Sequence, residues 1–250
     1  MSLANSIRAR AVTTFMSKGP CPAQEDHVLV DRDRGIFVVA DGFGGPIPGA
    51  AAAKTACEAV RSFLFKEAGD LEATLPFELR TYFSLAGNVL FNSLIHANRK
   101  IAALNQGKDV HEKGGASVLA GFIDGDLLAI ANVGVCSAWL VRNGQAVELV
   151  MPRSFGRLCD PFAQEKSTDW QIPLIALGMS SDLEPEIFEY KIKVGDWLII
   201  SSDGVGPEVQ DRLRGLQNLG DDPQKSIKKA TEILNQGKYQ DNASISLVIL

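Results

Sequence analysis

Four acidic positions in this chain stand at the ends of apolar, strand-forming runs. Ile36, Phe37, Val38, Val39 and Ala40 run into Asp41, and Gly42, Phe43, Gly44 and Gly45 follow. The run 198–202 leads into Asp203 and Gly204, Asp241 and Asn242 stand directly before the run 243–250, and Glu25 and Asp26 precede Val28, Leu29 and Val30. A strand that stops at an acid, with flexible backbone behind it, presents a carboxylate and a bare carbonyl at a sheet rim. Asp-Gly also opens ordinary turns. What constrains the fold is the recurrence of the pattern in distant parts of the chain.

Taken in order, the chain begins as a loop, followed by strands over 28–30 and 36–40 joined by the charged turn 31–35. That hairpin puts Asp26 and Asp41 near one rim. Pro46 and Pro48 open an alanine-rich helix over 49–67, whose small residues allow close packing on a sheet, and a second helical pattern covers 76–105. The two helices are expected to pack antiparallel over one sheet face. From Gly114 the texture turns to strands. Runs 116–123 and 126–132 flank Asp124-Gly125, and runs 136–142 and 145–150 flank Asn143-Gly144, both two-residue hairpin signals. The stretch 151–181, with Pro152, Pro161 and Pro173, has no clear period and reads as a long surface excursion. A hairpin of 186–193 with 196–202 is expected across Val194-Gly195, then helices over 207–219 and 223–235 and a last strand over 243–250. About nine strands and two inserted helix pairs do not fit the strict alternation of a parallel sheet. They favour antiparallel sheets packed face to face with helices outside, in a single domain over 1–250.

Composition narrows the partners. A 250-residue chain with 46% hydrophobic residues can bury a substantial core. Its net charge of -5 offers no basic face for a nucleic acid. Cys21, Cys57, Cys136 and Cys159 form no Cys-x-x-Cys pair or dense framework, which suits a reducing compartment. The N-terminus carries no apolar segment of signal-peptide length, and the apolar stretch 127–141 is broken by Asn132, Gly134 and Ser137. A cytoplasmic protein without membrane or nucleic-acid partners is expected, as a monomer.

Carboxylates converging on one rim repel one another by about 4 kcal/mol per close pair at an effective dielectric of ~20, so the cluster calls for a cation or raised pKa values. Hard oxygen ligands point to Mg²⁺ or Mn²⁺ rather than zinc, and a two-ion carboxylate site can activate water for attack on phosphorus. Solvated turn acids are the rival reading. His27, His96 and His111 share no ligand spacing. Cys136 and Arg142 match the Cys-x5-Arg spacing of cysteine-dependent phosphatases, but the residues between them are strand-like and lack the glycines of a phosphate loop.

Nearly the whole chain resembles the metal-dependent serine/threonine protein phosphatases of type 2C, also called PPM. Glu25-Asp26 is similar to the family's N-terminal acidic pair, 41–45 to its Asp-Gly-x-Gly-Gly motif, and Gly115-Ala116-Ser117 to its Gly-Ser/Thr-Thr strand start. Ala131-Asn132-Val133-Gly134, Ala176-Leu177-Gly178, Gly195-Asp196, Ser202-Asp203-Gly204 and Asp241-Asn242 follow in the family's order. The resemblance implies an α+β four-layer αββα sandwich of two antiparallel sheets flanked by helix pairs. It implies two Mn²⁺ or Mg²⁺ ions bridged by Asp41, with the Gly42 carbonyl, Asp203 and Asp241 on one ion and Glu25 and Asp26 on the other, directly or through water. Asp41, Asp203 and Asp241 would be the catalytic core.

Three positions depart from the family pattern. Cys21 stands where an arginine grips the substrate phosphate, Phe43 where a histidine or methionine stands, and Val135 where an acid accompanies a third metal. The expected activity is hydrolysis of phosphoserine or phosphothreonine in a phosphorylated protein, within signalling. The alternative is a type 2C-like regulatory or binding module with little turnover, and a third option is hydrolysis of another phosphoester.

Overall fold

The structure, a computed structural model, describes residues 6–67, 79–159, 172–219 and 222–250. Its strands are β1 (Ala11–Ser17), β2 (His27–Asp31), β3 (Ile36–Phe43), β4 (Gly115–Asp124), β5 (Leu127–Val133), β6 (Ser137–Arg142), β7 (Gln145–Val150), β8 (Glu186–Lys191), β9 (Trp197–Ser201) and β10 (Ala243–Ile249). Its helices are α1 (Pro48–Glu67), α2 (Leu85–Asn105), α3 (Phe155–Cys159), α4 (Pro207–Arg214) and α5 (Pro223–Gln236). Two five-stranded sheets form, in the orders β1-β10-β9-β6-β7 and β2-β3-β4-β5-β8, and the paired strands are antiparallel.

Burial explains why the strand runs are apolar without alternation. On β3, Ile36, Val38 and Ala40 pack under α1 and α2, while Phe37 and Val39 face the other sheet. On β10, Ala243, Ile245 and Leu247 pack against α4 and α5, while Val248 faces the sheet-to-sheet core. A strand buried on both faces has no solvent side to write in polar residues. The layers are therefore helix pair, sheet, sheet, helix pair, which is the expected α+β sandwich. Ala52, Ala53 and Ala56 of α1 are buried on this face, and α1 packs along both α2 and β3.

Four sequence expectations are corrected. β1 lies in the opening stretch that reads as a loop. It is an edge strand paired only with β10, and its half-exposed residues carry a weak apolar signal. The helix expected over 76–105 begins at Leu85 behind Ser84, whose side chain accepts from Gly87 N, and 76–78 lie outside the described residues. The strands near 186–193 and 196–202 are not a hairpin. β8 is an edge beside β5, whereas β9 is buried between β10 and β6, because a fully apolar run needs a neighbour on each side. The excursion 151–181 carries the short helix α3 and two bridges, Ser154 to Pro173 and Ala116 to Leu177, while 160–171 lie outside the described residues. No helix among the described residues is long and apolar enough to cross a membrane.

The start of β4, which adjoins the acidic rim, is held by α2. Buried Asn105 donates through Nδ2 to Gly114 O (2.7 Å) and accepts from Gly114 N through Oδ1 (3.1 Å). Asn105→Ala strips both partners from a buried peptide. It should cost about 2–4 kcal/mol in chemical denaturation. An unchanged unfolding midpoint would show that this clamp carries no stability.

Candidate active site

The ends of β3 and β9 and the beginnings of β4 and β10 meet at one rim, as the pairings of Asp41 with Ser117 and Ile245 with Ser201 require. There a cleft of about 330 Å³ is lined by Glu25, Asp41, Gly42, Asp203, Asp241 and Asn242 among others. Five of the six residues expected from sequence to hold metal thus face one space. Asp26 stands behind them, 4% exposed, its Oδ2 accepting from Ser202 Oγ (2.8 Å) and its Oδ1 buried without a hydrogen-bond partner. Gly42 is required where it is. A Cβ there would collide with the carbonyl oxygens of Gly49 and Glu25, so only glycine lets α1 and the Glu25 loop close on β3.

The carboxylates are engaged with protein groups and one another. Asp41 and Asp203 lie close enough for each to shift the ionisation of the other. The backbone N–H of Gly45, just before α1, lies near enough to Glu25 to favour its charged form. Asp241 Oδ1 accepts from its neighbour Asn242 N (2.7 Å) and from Cys21 Sγ (3.1 Å). Among the described residues, no group of three or more histidine, cysteine, aspartate or glutamate side chains is spaced to close around one ion. The donor chemistry still fits a pair of hard divalent cations. It is made of carboxylate oxygens, and the partnerless Asp26 Oδ1 marks a buried charge short of a counter-ion.

Sequence reasoning quotes Asn242 only as the neighbour of Asp241, yet its side chain fastens the whole N-terminal loop. Oδ1 accepts from Glu25 N (2.6 Å), and Nδ2 donates to Lys18 O and Ala23 O (2.9 Å each). An asparagine is suited to this because one planar amide both donates and accepts. Lys18 and Arg153, cations that could stand in for an arginine at position 21, are absent from the lining of the cleft. Lys18 Nζ is turned onto Cys21 O (3.2 Å), Arg153 pairs with Glu186 (3.5 Å), and the side chain of Arg157 lies outside the described residues. Phe43 and Val135 line the cleft, so neither departure is displaced from the site. Cys136 is fully buried with its thiol pushed up by burial, which removes it as a nucleophile.

Neither a protein-family model nor a curated protein matches this sequence. Solved structures do. The PPM Ser-Thr phosphatase MsPP from Mycobacterium smegmatis, solved with cacodylate, aligns at TM-score 0.73 and 20% identity, covering 98% of this chain and 100% of that one. The catalytic domain of the serine threonine protein phosphatase PstP, solved with two manganese ions, aligns at 0.74 and 18%, covering 96% and 98%. The serine/threonine phosphatase Stp1 from Staphylococcus aureus aligns at 0.77 and 18%, covering 100% and 98%. This is the fold of the PPM phosphatases. The PPM fold accounts for both sheets and both helix pairs, as the sequence resemblance implies.

Within this PPM fold the acids have raised pKa values. Burial is the largest cause for each, moving Asp26 and Asp203 up to about 6 and Asp41 well above the carboxylate range, with neighbouring charges adding to it. A folded pKa of about 6 against an ordinary 3.8 means that the folded state holds more protons across that interval. The stabilisation is complete below the ordinary value and is lost as pH rises through about 6. In a chelating buffer, Tm should therefore fall between about pH 4 and pH 7, as stability drops by on the order of 2–3 kcal/mol per group. Asp203→Asn should flatten that slope and raise the neutral-pH Tm. A wild-type Tm that rises over the same interval would show that the acids are not coupled as the geometry requires.

Proposed function

We propose that this chain is a Mn²⁺- or Mg²⁺-dependent phosphatase acting on phosphoserine or phosphothreonine in proteins. The observation that carries the reading is the convergence of Glu25, Asp41, Asp203 and Asp241, from three distant stretches of sequence, on one cleft of a PPM fold. The solved structures support it through their own identities, MsPP and Stp1 as serine/threonine phosphatases and PstP with two manganese ions.

On this reading Asp41 would be shared between two divalent ions, Asp203, Asp241 and the Gly42 carbonyl would hold one of them, and Glu25 and Asp26 would serve the other. A bound pair supplies an activated water and compensates charge on the phosphoryl group. The protein's own part is to make that pair necessary. Burial and neighbouring charge favour the protonated forms of Asp41 and Asp203, and a cation needs both ionised, so affinity should rise with pH. Ser202 keeps Asp26 oriented with its hydroxyl, and Ser202 Oγ also accepts from Ser244 N (2.9 Å), which joins β9 to β10 behind the cleft. Phe43 offers no proton to a leaving group, so water must provide it.

Asp41→Asn and Asp203→Asn should each abolish hydrolysis of a phosphothreonine peptide while leaving folded protein. Asp124→Asn, at the exposed end of β4, should be nearly neutral. Metal binding and turnover surviving in both cleft variants would overturn the ligand assignment.

A second reading, a regulatory or binding module with little turnover, is favoured by one observation. Among the described residues lining the cleft there is no lysine or arginine. A thiol offers one weak donor where a guanidinium offers two parallel charge-assisted bonds, a difference worth roughly ten- to a hundred-fold in substrate affinity. In a working enzyme Cys21→Arg should lower KM for a small phosphoester by that factor and leave the metal requirement unchanged. Two bound metals with no turnover in either form would leave the module.

A further inference from the structure

A second cleft, of about 540 Å³, lies at the opposite pole of the sandwich. The acidic cleft sits where β9 ends and β10 begins. This one is built from the turn after β6, the turn before β9, the end of β10 and the first turn of α5. Measured along β9 and β10, the two are about 20–25 Å apart at the rise of a strand. Its volume falls in the range of small-ligand sites.

The cleft is electropositive in a chain of net charge -5. Arg10, Arg142 and Lys193 line it, against Asp196 as the one acid among its lining residues. Asp196 is already saturated. Its Oδ1 accepts from Arg142 Nε (2.7 Å), and its Oδ2 accepts from Arg142 Nη2 (2.6 Å) and Lys193 N (2.7 Å). Arg142 is thereby fixed in place, with Nη2 also donating to Lys191 O (3.0 Å), while its Nη1 has no acceptor among the described residues. The side chains of Arg10 and Lys193 likewise have no partner among the described residues. Asp222, at the head of α5, is spent on its own helix, accepting from Gln224 N and Lys225 N.

The frame around these cations is rigid. Gln217 Nε2 donates to Val141 O (3.0 Å) and Gly195 O (2.8 Å), and its Oε1 accepts from Gly144 N (2.8 Å), so one side chain ties three sides of the cleft together. Asp196 itself is 1% exposed. A buried acid that orients an arginine whose free end faces a cleft is an expensive arrangement for a surface with nothing to bind. For an ordinary solvated face, scattered exposed cations would serve as well.

We propose that this cleft is a second ligand site, for a small organic polyanion carrying phosphate or carboxylate groups. Arg142 gives the fixed contact, and Arg10 and Lys193 close on the remaining charge. The site stands independently of the phosphatase reading, because none of its residues belongs to the acidic cleft.

The test is calorimetric titration of the full chain, in chelating buffer at low salt, with fructose 1,6-bisphosphate and with citrate as probes. Binding of at least one probe, weakened by salt, is expected, with citrate alone binding assigning carboxylate and the sugar alone assigning phosphate. Arg10→Ala and Lys193→Ala should each weaken it roughly tenfold, and the double variant should bind neither probe measurably. Both side chains are exposed, so these variants should fold; Arg10→Gln and Lys193→Gln carry the same test if either alanine form does not. Asp203→Asn should leave the titration unchanged. Absence of heat with both probes up to millimolar concentration would overturn the proposal, as would affinity unmoved in the double variant. Binding lost in Asp203→Asn but kept without Arg10 and Lys193 would place the anion in the acidic cleft, and would equally overturn it.

Discussion

Asp26, Asp41 and Asp203 bring like charges together at one rim, with Asp26 buried and Asp41 and Asp203 half-buried. At an effective dielectric of ~20 each close pair costs about 4 kcal/mol, a sizeable part of the stability of a whole domain. The surroundings answer this with protein donors. Ser202 reaches Asp26, the backbone just before α1 meets Glu25, and Cys21 and Asn242 meet Asp241. Close approach of β3, α1 and the Glu25 loop is what makes those donors available, and Gly42 is what permits the approach. The rest of the sandwich holds this rim closed.

Most of the fold is legible in the sequence for a simple physical reason. Strands buried on both faces must be apolar throughout, so β3, β4, β5, β9 and β10 announce themselves as runs. Tight turns announce the hairpins β4-β5 and β6-β7 through Asp124-Gly125 and Asn143-Gly144, where Gly125, Asn143 and Gly144 do take positive φ. What the sequence hides is edge and partner choice. β1 is short on pattern because one side meets no strand, and β8 looks like the partner of β9 because a turn of the right length joins them. Neighbourhood in sequence says nothing about which sheet a strand enters once both sheets are within reach of the same loop. α3, at five residues, is too short for any period to show.

The acids of the cleft are legible as a set and not as individuals. Strand ends reveal that Glu25, Asp41, Asp203 and Asp241 share a rim. Only the packing shows that Asp26, adjacent in sequence to Glu25, faces Ser202 and lies behind the others. The Cys21 thiol on Asp241 and the triple clasp of Asn242 link residues more than two hundred positions apart, and no local signal carries such pairs.

That clasp also sets an order of events. β2, β3, β4 and β5 are neighbours in both sequence and sheet, so one half of the sandwich, with α1 and α2 on it, closes short loops. The other half needs β10 between β1 and β9, and Asn242 bonds Glu25 N across 217 residues. Long closures cost more entropy and come later. On the ribosome, then, Glu25 and Asp41 emerge early and stay without the residues that fasten and complete their cleft until β10 has been made. A nascent chain arrested before residue 242 would hold half a sandwich and a rim with its clasp missing.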